Sequence, residues 1–395
     1  MWQGRGVREP ALVSRMRPFT STIFAEMTAL AVRTGAVNLG QGFPDTDGPP
    51  GMLAAARKAI AEGVNQYPPG PGRPELRAAV AEHRQRYGQT YDPDTEILIT
   101  VGATEAIAAA LLALVGPGDE VVVIEPYYDS YAAAVALSGA TRRVVGLREA
   151  EDGRFALNAA TLRAAITPAT RAILINSPHN PTGTVFTSAE LADIAKLCVA
   201  HDLIAITDEV YEHLTFDDQQ HIPLATFPGM AERTVTISSA GKTFNCTGWK
   251  IGWACGPANL IAAVRATKQF LTFVGGAPFQ PAVTYALRSE LQWADDQRKS
   301  LQTKRDRLMA GLVAAGFEIR PTAGTYFICA DVRPLGFIDG AELCFKLPEQ
   351  IGVAAVPIQV FTDTPDEWRH LIRFAFCKKD QVLDEAIRRL ATLRS

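Results

Sequence analysis

The sequence predicts an α/β fold in which a mostly parallel sheet is covered by helices on both faces, followed by a smaller α+β unit. Three observations carry this. From about residue 96, short Val/Ile-rich runs alternate with Ala-rich helical stretches. The runs are unbroken, the pattern of strands buried on both faces. Past residue 281 the chain turns to one long helical pattern and then to short strands.

Taken in order, EILIT (96–100) precedes the helical ATEAIAAALLALV, and GPGDE turns the chain into VVVIE (121–125). SYAAAVALSG precedes TRRVVGL. RAILIN (171–176) precedes SAELADIAKLCVAHD, which leads to LIAITDE (203–209). TVTISS (234–239) runs into Lys242. Strand–helix–strand repetition of this kind builds a parallel sheet. Residues just after its strands share one edge, where open α/β sheets bind ligands. That edge holds Gly102, Tyr127, Tyr128, Asn180, Asp208 and Lys242. The stretch 281–316 reads as one long helix, with room for a break. TYFICADV, HLIRFAFC and the closing helix QVLDEAIRRLATLR make the α+β unit. The expected organisation is a lead at 1–15, a segment at 16–45 packing on the smaller domain, a large domain at 46–285 and a small domain at 286–395.

Composition sets bounds. The 395 residues are 47% hydrophobic and 21% charged with a net charge of −3, an ordinary globular mix with room for two domains. This balance favours neither nucleic acid nor an anionic membrane. The most apolar helix, AIAAALLALV, stops at GPGD, far short of the roughly 20 residues a membrane span needs. The N-terminus has basic residues without an apolar core behind them, so no signal peptide is expected. The six cysteines show no CxxC spacing. They read as reduced, packed thiols of a cytoplasmic protein, with no metal site.

Lys242 sits in SSAGKTFNCTGWKIGW (238–253), behind four small residues. A solvated lysine needs no such clearance. Each neighbour on the edge has a plain reading by itself. Asp208 caps a helix, NPTG is a turn, VGATEA is a helix start, and the tyrosines are core aromatics. Together they match what a lysine bound to pyridoxal 5′-phosphate requires. That chemistry needs an amine, a carboxylate against the pyridine nitrogen, donors to the ring oxygen, and a flat aromatic. It also needs a helix N-terminus for phosphate and an arginine for a substrate carboxylate. Lys242, Asp208, Asn180 with Tyr211, Tyr128, Ala103 with Thr104, and Arg373 supply them. No GxGxxG follows the first strand; GPGRPE (70–75) lacks the third glycine.

SSAGKTFNCTGWKIGW, with NSPHNPTG and TDEVYEHL upstream, resembles the class I aminotransferases of pyridoxal-phosphate fold type I. The resemblance runs from about residue 16 to the end. NLGQGFPD, NQYPPGPG, VGATEAI and EPYYDSY are similar to the kynurenine–oxoglutarate and methionine aminotransferase branch. EGVNQYPPGPG and FVGGAPFQPAV resemble its actinobacterial N-succinyldiaminopimelate aminotransferases.

The resemblance implies a seven-stranded sheet and a homodimer with shared active sites. Lys242 would be the Schiff-base lysine and proton carrier, Asp208 the partner of the pyridine nitrogen, and Tyr211 and Asn180 the holders of the ring oxygen. Tyr128 would stack on the ring. Ala103, Thr104, Ser239 and Lys250 would bind phosphate, joined by Tyr67 from the partner subunit. Arg373, with Asn180 and Gly40, would take the substrate carboxylate. Two departures stand out: Lys250 where many relatives carry arginine, and Thr104 where some carry an aromatic. The implied activity is ping-pong transfer of an amino group to 2-oxoglutarate, with N-succinyl-L,L-diaminopimelate as the expected donor. Kynurenine, methionine or glutamine as donor, or a β-lyase with the same lysine, are the alternatives. Arg17, Arg33 and Arg73 are candidates for a distal carboxylate; Phe19, Phe24, Phe43 and Phe279 are candidates for an apolar wall.

Overall fold

The computed structural model describes residues 11–394. Most of the expected lead therefore lies outside the described residues; its end enters a short 3-10 turn, Ser14–Phe19. Helix α1 (Ile23–Thr34) starts on Thr22, whose side chain accepts from the Ala25 amide, and stops at Gly35 with φ 66. Both ends so satisfy groups that a helix leaves unpaired. Strand β1 (Val37–Asn38) follows. Helices α2 (Pro50–Ala61) and α3 (Pro74–Arg84) begin with proline, where no amide bond is required.

The central unit then runs β2 (Ile97–Val101), α4 (Gly102–Leu114), β3 (Glu120–Glu125), α5 (Asp129–Ser138) and β4 (Thr141–Gly146). A small ribbon, β5 (Arg148–Glu149) with β6 (Phe155–Ala156), leads to α6 (Ala159–Ala165). Next come β7 (Thr170–Asn176), α7 (Ser188–Ala200), β8 (Ile204–Asp208), β9 (Thr234–Ser239), the single turn α8 (Ala240–Thr243), β10 (Ile251–Cys255) and α9 (Ala258–Lys268). These strands form a seven-stranded sheet in the order β2-β10-β9-β8-β7-β3-β4. All are parallel except β10, which runs antiparallel to both neighbours.

Both faces are covered, as the unbroken Val/Ile runs require. Val121 and Val123 face the cluster built on α4, α5 and α9, while Val122 and Ile124 face the one built on α7. Side chains alternate across a strand, so a continuous apolar run serves two cores. Each such side chain, fully buried, contributes about 1.5–3 kcal/mol. A third cluster seals the β2 edge, where α2, α3 and α10 (Phe279–Ser289) pack. Glu290, at φ −119 and ψ 17, separates α10 from α11 (Leu291–Ala315), so the long helical pattern is two helices. Residue 285, the expected end of the large domain, lies inside α10, whose buried Ala282, Val283 and Ala286 belong to that edge cluster.

The remaining chain forms β11 (Glu318–Ile319), β12 (Phe327–Asp331), α12 (Gly340–Gln350), β13 (Val353–Ala354), β14 (Val356–Pro357), α13 (Pro365–Trp368), β15 (Leu371–Ala375) and α14 (Asp380–Leu390). An antiparallel sheet has the order β11-β12-β15-β14. Strand β13 pairs in parallel with β1, Val37 against Val353. Met27 and Leu30 of α1 share a core with Leu308, Leu343 and Leu383. All six cysteines are free and buried. Among the described residues, no helix is long and apolar enough to cross a membrane.

Candidate active site

A cavity of about 210 Å³ opens at the carboxyl ends of β7, β8 and β9. Of the residues singled out from sequence, Ala103, Thr104, Tyr128, Asn180, Asp208, Tyr211, Ser239, Lys242 and Lys250 line it. Arg373 and Gly40 join through the Asn180 side of the cavity. Tyr67 stands apart: it is 80% exposed and meets the Phe273 ring edge-on at 5.4 Å.

Strand β8 delivers Asp208 at its last position, fully enclosed. Its Oδ2 accepts from the Tyr131 hydroxyl at 2.6 Å and its Oδ1 from the Val210 amide at 3.3 Å. Burial pushes the carboxyl up to about 6 despite these donors. Lys242 rides on α8, one turn beyond β9. Its side chain reaches the cavity, and Nζ donates to the Tyr326 hydroxyl at 2.9 Å and to the Gly42 carbonyl at 3.4 Å. The surrounding protein desolvates the amine and brings it down to about 8. Tyr211 packs edge-on against Tyr326 at 5.3 Å, and burial lifts its phenol above the ordinary range. Tyr128 meets Tyr131 edge-on at 5.7 Å; burial raises its phenol, opposed by a hydrogen bond with Thr104.

The opposite wall suits an anion. Helix α4 begins without a side-chain cap, so its first amides are left for another acceptor. Gly102 stands at φ 73, and Lys250, itself left-handed at φ 55, lies alongside it. Gly252 makes this approach feasible: a Cβ there would lie 2.6 Å from the Gly102 carbonyl carbon. Ser239 adds a hydroxyl.

At the seam with the smaller sheet, Arg373 of β15 is buried. Its Nη1 donates to Asn180 Oδ1 at 2.8 Å and its Nη2 to the Gly40 carbonyl at 3.0 Å. The guanidinium lies 3.9 Å from the centre of the Phe327 ring, with Phe24 and Phe361 flanking it. Its Nε has no partner among the described residues. Asn180 is held in turn: its amide donates to Asn176 Oδ1 at 2.7 Å, and Asn176 Nδ2 donates to the Asp208 carbonyl at 2.8 Å. Gly40 permits the approach of this loop, since a Cβ there would come within 2.8 Å of Val356.

Sequence reasoning passed over Tyr131 and Tyr326. Tyr131 closes EPYYDSY, three residues after Tyr128, and Tyr326 is the second residue of TYFICADV; in both cases the partner is distant in the chain. A third omission lies beneath the sheet edge. Arg84 from α3 donates to Glu209 at 2.7 Å and pairs with Glu212; Ser238 donates to Glu212 at 2.6 Å and His221 meets Glu209 at 2.9 Å. Burial alone would raise Glu209, yet Arg84 and His221 hold it down at about 2. Histidine and glutamate donor atoms gather here within 4.8 Å of one another. The Arg84 fork already occupies an oxygen of each of the two carboxylates.

Of the candidates for a distal carboxylate, Arg33 is exposed and near Glu349, and Arg73 is near Glu75. Arg17 bonds the Leu12 carbonyl. Phe279 stacks on Trp249 at 4.6 Å, and Phe43 lies under the Lys378 amine.

The family of class I and II aminotransferases matches residues 34–390. The chain belongs to that family. This aminotransferase is 63% identical over 391 residues to the probable N-succinyldiaminopimelate aminotransferase of Mycobacterium tuberculosis, covering 96% of this chain and 98% of that one. It is 40% identical to the methionine aminotransferase of Escherichia coli, covering 96% of this chain and 98% of that one. The solved structure of the Mycobacterium tuberculosis N-succinyldiaminopimelate aminotransferase superposes with a TM-score of 0.95 at 63% identity, covering 97% of this chain and all of that one. The aminotransferase thus has the expected activity class and the expected seven-stranded fold.

Proposed function

We propose that this aminotransferase uses pyridoxal 5′-phosphate to move the amino group of N-succinyl-L,L-diaminopimelate to 2-oxoglutarate, as a homodimer. One observation carries the cofactor reading: a buried carboxylate with no cation in contact among the described residues, Asp208, shares a cavity with a desolvated amine, Lys242, and an uncapped helix N-terminus. That donor set fits the group. Asp208 would meet the pyridine nitrogen and regain a positive partner. Tyr211 and Asn180 would hold the ring oxygen, and Tyr128 would stack on the ring. The Ala103 and Thr104 amides, Ser239 and Lys250 would take the phosphate, with Tyr67 reaching in from the partner subunit.

When bound, the cofactor supplies an electron sink for the substrate Cα. The chain's own residues do the rest. Arg373, fixed by Asn180 and Gly40, orients the substrate through its carboxylate. Lys242 attaches the resting cofactor and, once displaced, moves the Cα proton. With the amine near 8, about a tenth of it is neutral at pH 7, against far below a hundredth for an ordinary lysine.

The donor assignment is supported by 63% identity to the Mycobacterium tuberculosis relative, against 40% to the methionine aminotransferase. A panel of amino donors with 2-oxoglutarate tests it. Turnover of N-succinyl-L,L-diaminopimelate at least tenfold above methionine, kynurenine and glutamine is expected. Preference for any of those three would replace the donor, and pyruvate release from cysteine conjugates without glutamate formation would replace the reaction.

A further inference from the structure

The proposed roles leave one contact of Lys242 unused. Its Nζ lies 2.9 Å from the Tyr326 hydroxyl, and that hydroxyl lies 2.7 Å from the Gly42 carbonyl. A carbonyl only accepts, so the phenol proton is directed at Gly42 and the phenol oxygen presents a lone pair to the amine. Tyr326 is 1% exposed, and its ring is wedged edge-on between Tyr211 at 5.3 Å and Phe327 at 4.8 Å. The backbone behind it is forced. Thr325 stands at φ 66, a region that β-branched residues avoid. The Thr325 amide donates to the Leu214 carbonyl at 2.9 Å, and Phe376 donates to the Tyr326 carbonyl at 2.9 Å. Backbone strain of this kind gathers where a side chain must be aimed.

Resting on the reading of Lys242 as the amine that carries the proton, we propose that Tyr326 is a further catalytic residue, whose hydroxyl receives and orients the Lys242 amine whenever that amine is free. The oxygen accepts an N–H of the amine, and a stronger one of the ammonium that forms when Nζ takes the Cα proton. No proton leaves the phenol, which burial keeps neutral. Through Gly42 the same hydroxyl ties the amine to the loop that carries Gly40. The other charged or titratable groups facing Nζ are Asp208 from β8, Arg373 and Cys377 from β15 and its exit, Lys250, and the Tyr211 ring at 5.6 Å.

Tyr326→Phe keeps the ring and deletes the hydroxyl. In cofactor-free protein, acylation of Lys242 by an activated ester is followed against pH by mass spectrometry. The midpoint is expected to fall by about one unit, since a hydrogen bond to a charged group is lost. In the loaded enzyme the half-reaction with donor slows about 10- to 100-fold, and the isotope effect of a Cα-deuterated donor grows. A variant within twofold of wild type on both readouts overturns the role of Tyr326. If borohydride reduction of the loaded wild-type enzyme fixes pyridoxal phosphate on Lys242, the reading beneath it still stands; if the protein takes up no cofactor, both fall. Should Tyr326→Phe not fold, 3-fluorotyrosine placed at position 326 keeps the ring and weakens the hydroxyl oxygen as an acceptor, and an unchanged midpoint there overturns the proposal as well.

Discussion

Arg373→Lys is the most informative single change, because the structure shows which donors of the guanidinium are held by protein and which are left for a ligand. The guanidinium has five N–H donors. One bonds Asn180 and one bonds Gly40, while Nε is buried without a partner. A buried unpaired donor calls for an acceptor, and a substrate carboxylate is the one the proposed function supplies. Lysine keeps the charge but not the fork, and in the proposed role its shorter reach would forfeit two charge-assisted bonds to the substrate carboxylate. At about 1.5–2 kcal/mol each, the loss is about 3–4 kcal/mol, or roughly 10²–10³ in kcat/KM. Steady-state glutamate formation, with far-UV circular dichroism to confirm folding, reads this directly. Most of the loss is expected in KM for both donor and 2-oxoglutarate, since both present the same carboxylate. A change smaller than tenfold would refute Arg373 as the carboxylate site.

Lys242→Ala should leave no pyridoxal phosphate covalently attached to the protein after borohydride reduction and should lower turnover by more than 10³; retained turnover would remove the lysine from the chemistry. Asp208 carries a pH signature in cofactor-free protein. Its folded value, about 6, lies above the ordinary 3.8, so the folded state holds the proton more tightly. The stability this gives is present below about pH 4 and is lost as pH rises through 6, by roughly 3 kcal/mol. Asp208→Asn should flatten that slope and stabilise the cofactor-free protein at pH 7 in urea titrations, while weakening activity. Arg84→Met strands two buried carboxylates and should destabilise the fold by about 3–5 kcal/mol; a melting temperature equal to wild type would show the triad to be dispensable.

The sheet was legible because burial on two faces leaves little alternative composition for its strands: VVVI and LIAI are apolar throughout. Asp208, Asn180 and Lys242 were legible because each lies at the end of such a run or within four residues after it. What escaped depends on pairing across the chain. Tyr326 meets Lys242 across 84 residues and Arg84 meets Glu212 across 128, separations over which no local pattern signals a partner. The break for which 281–316 left room is at Glu290, and only its position was not legible. Tyr67 was chosen for its place in NQYPPGPG, and its exposure marks it as a residue with no place in the cavity of its own chain.

The Arg373 clamp has a bearing on how the enzyme matures. Its two anchors lie 193 and 333 residues away in the chain, so in the proposed role its grip on a ligand would exist only once almost the whole polypeptide has been assembled. A nascent or partly opened chain then has little purchase on its substrates. By mass action, a bound acid should favour closure across the seam rather than within either sheet. Metabolite supply would in this way protect finished molecules from proteolysis and leave unfinished ones to be cleared.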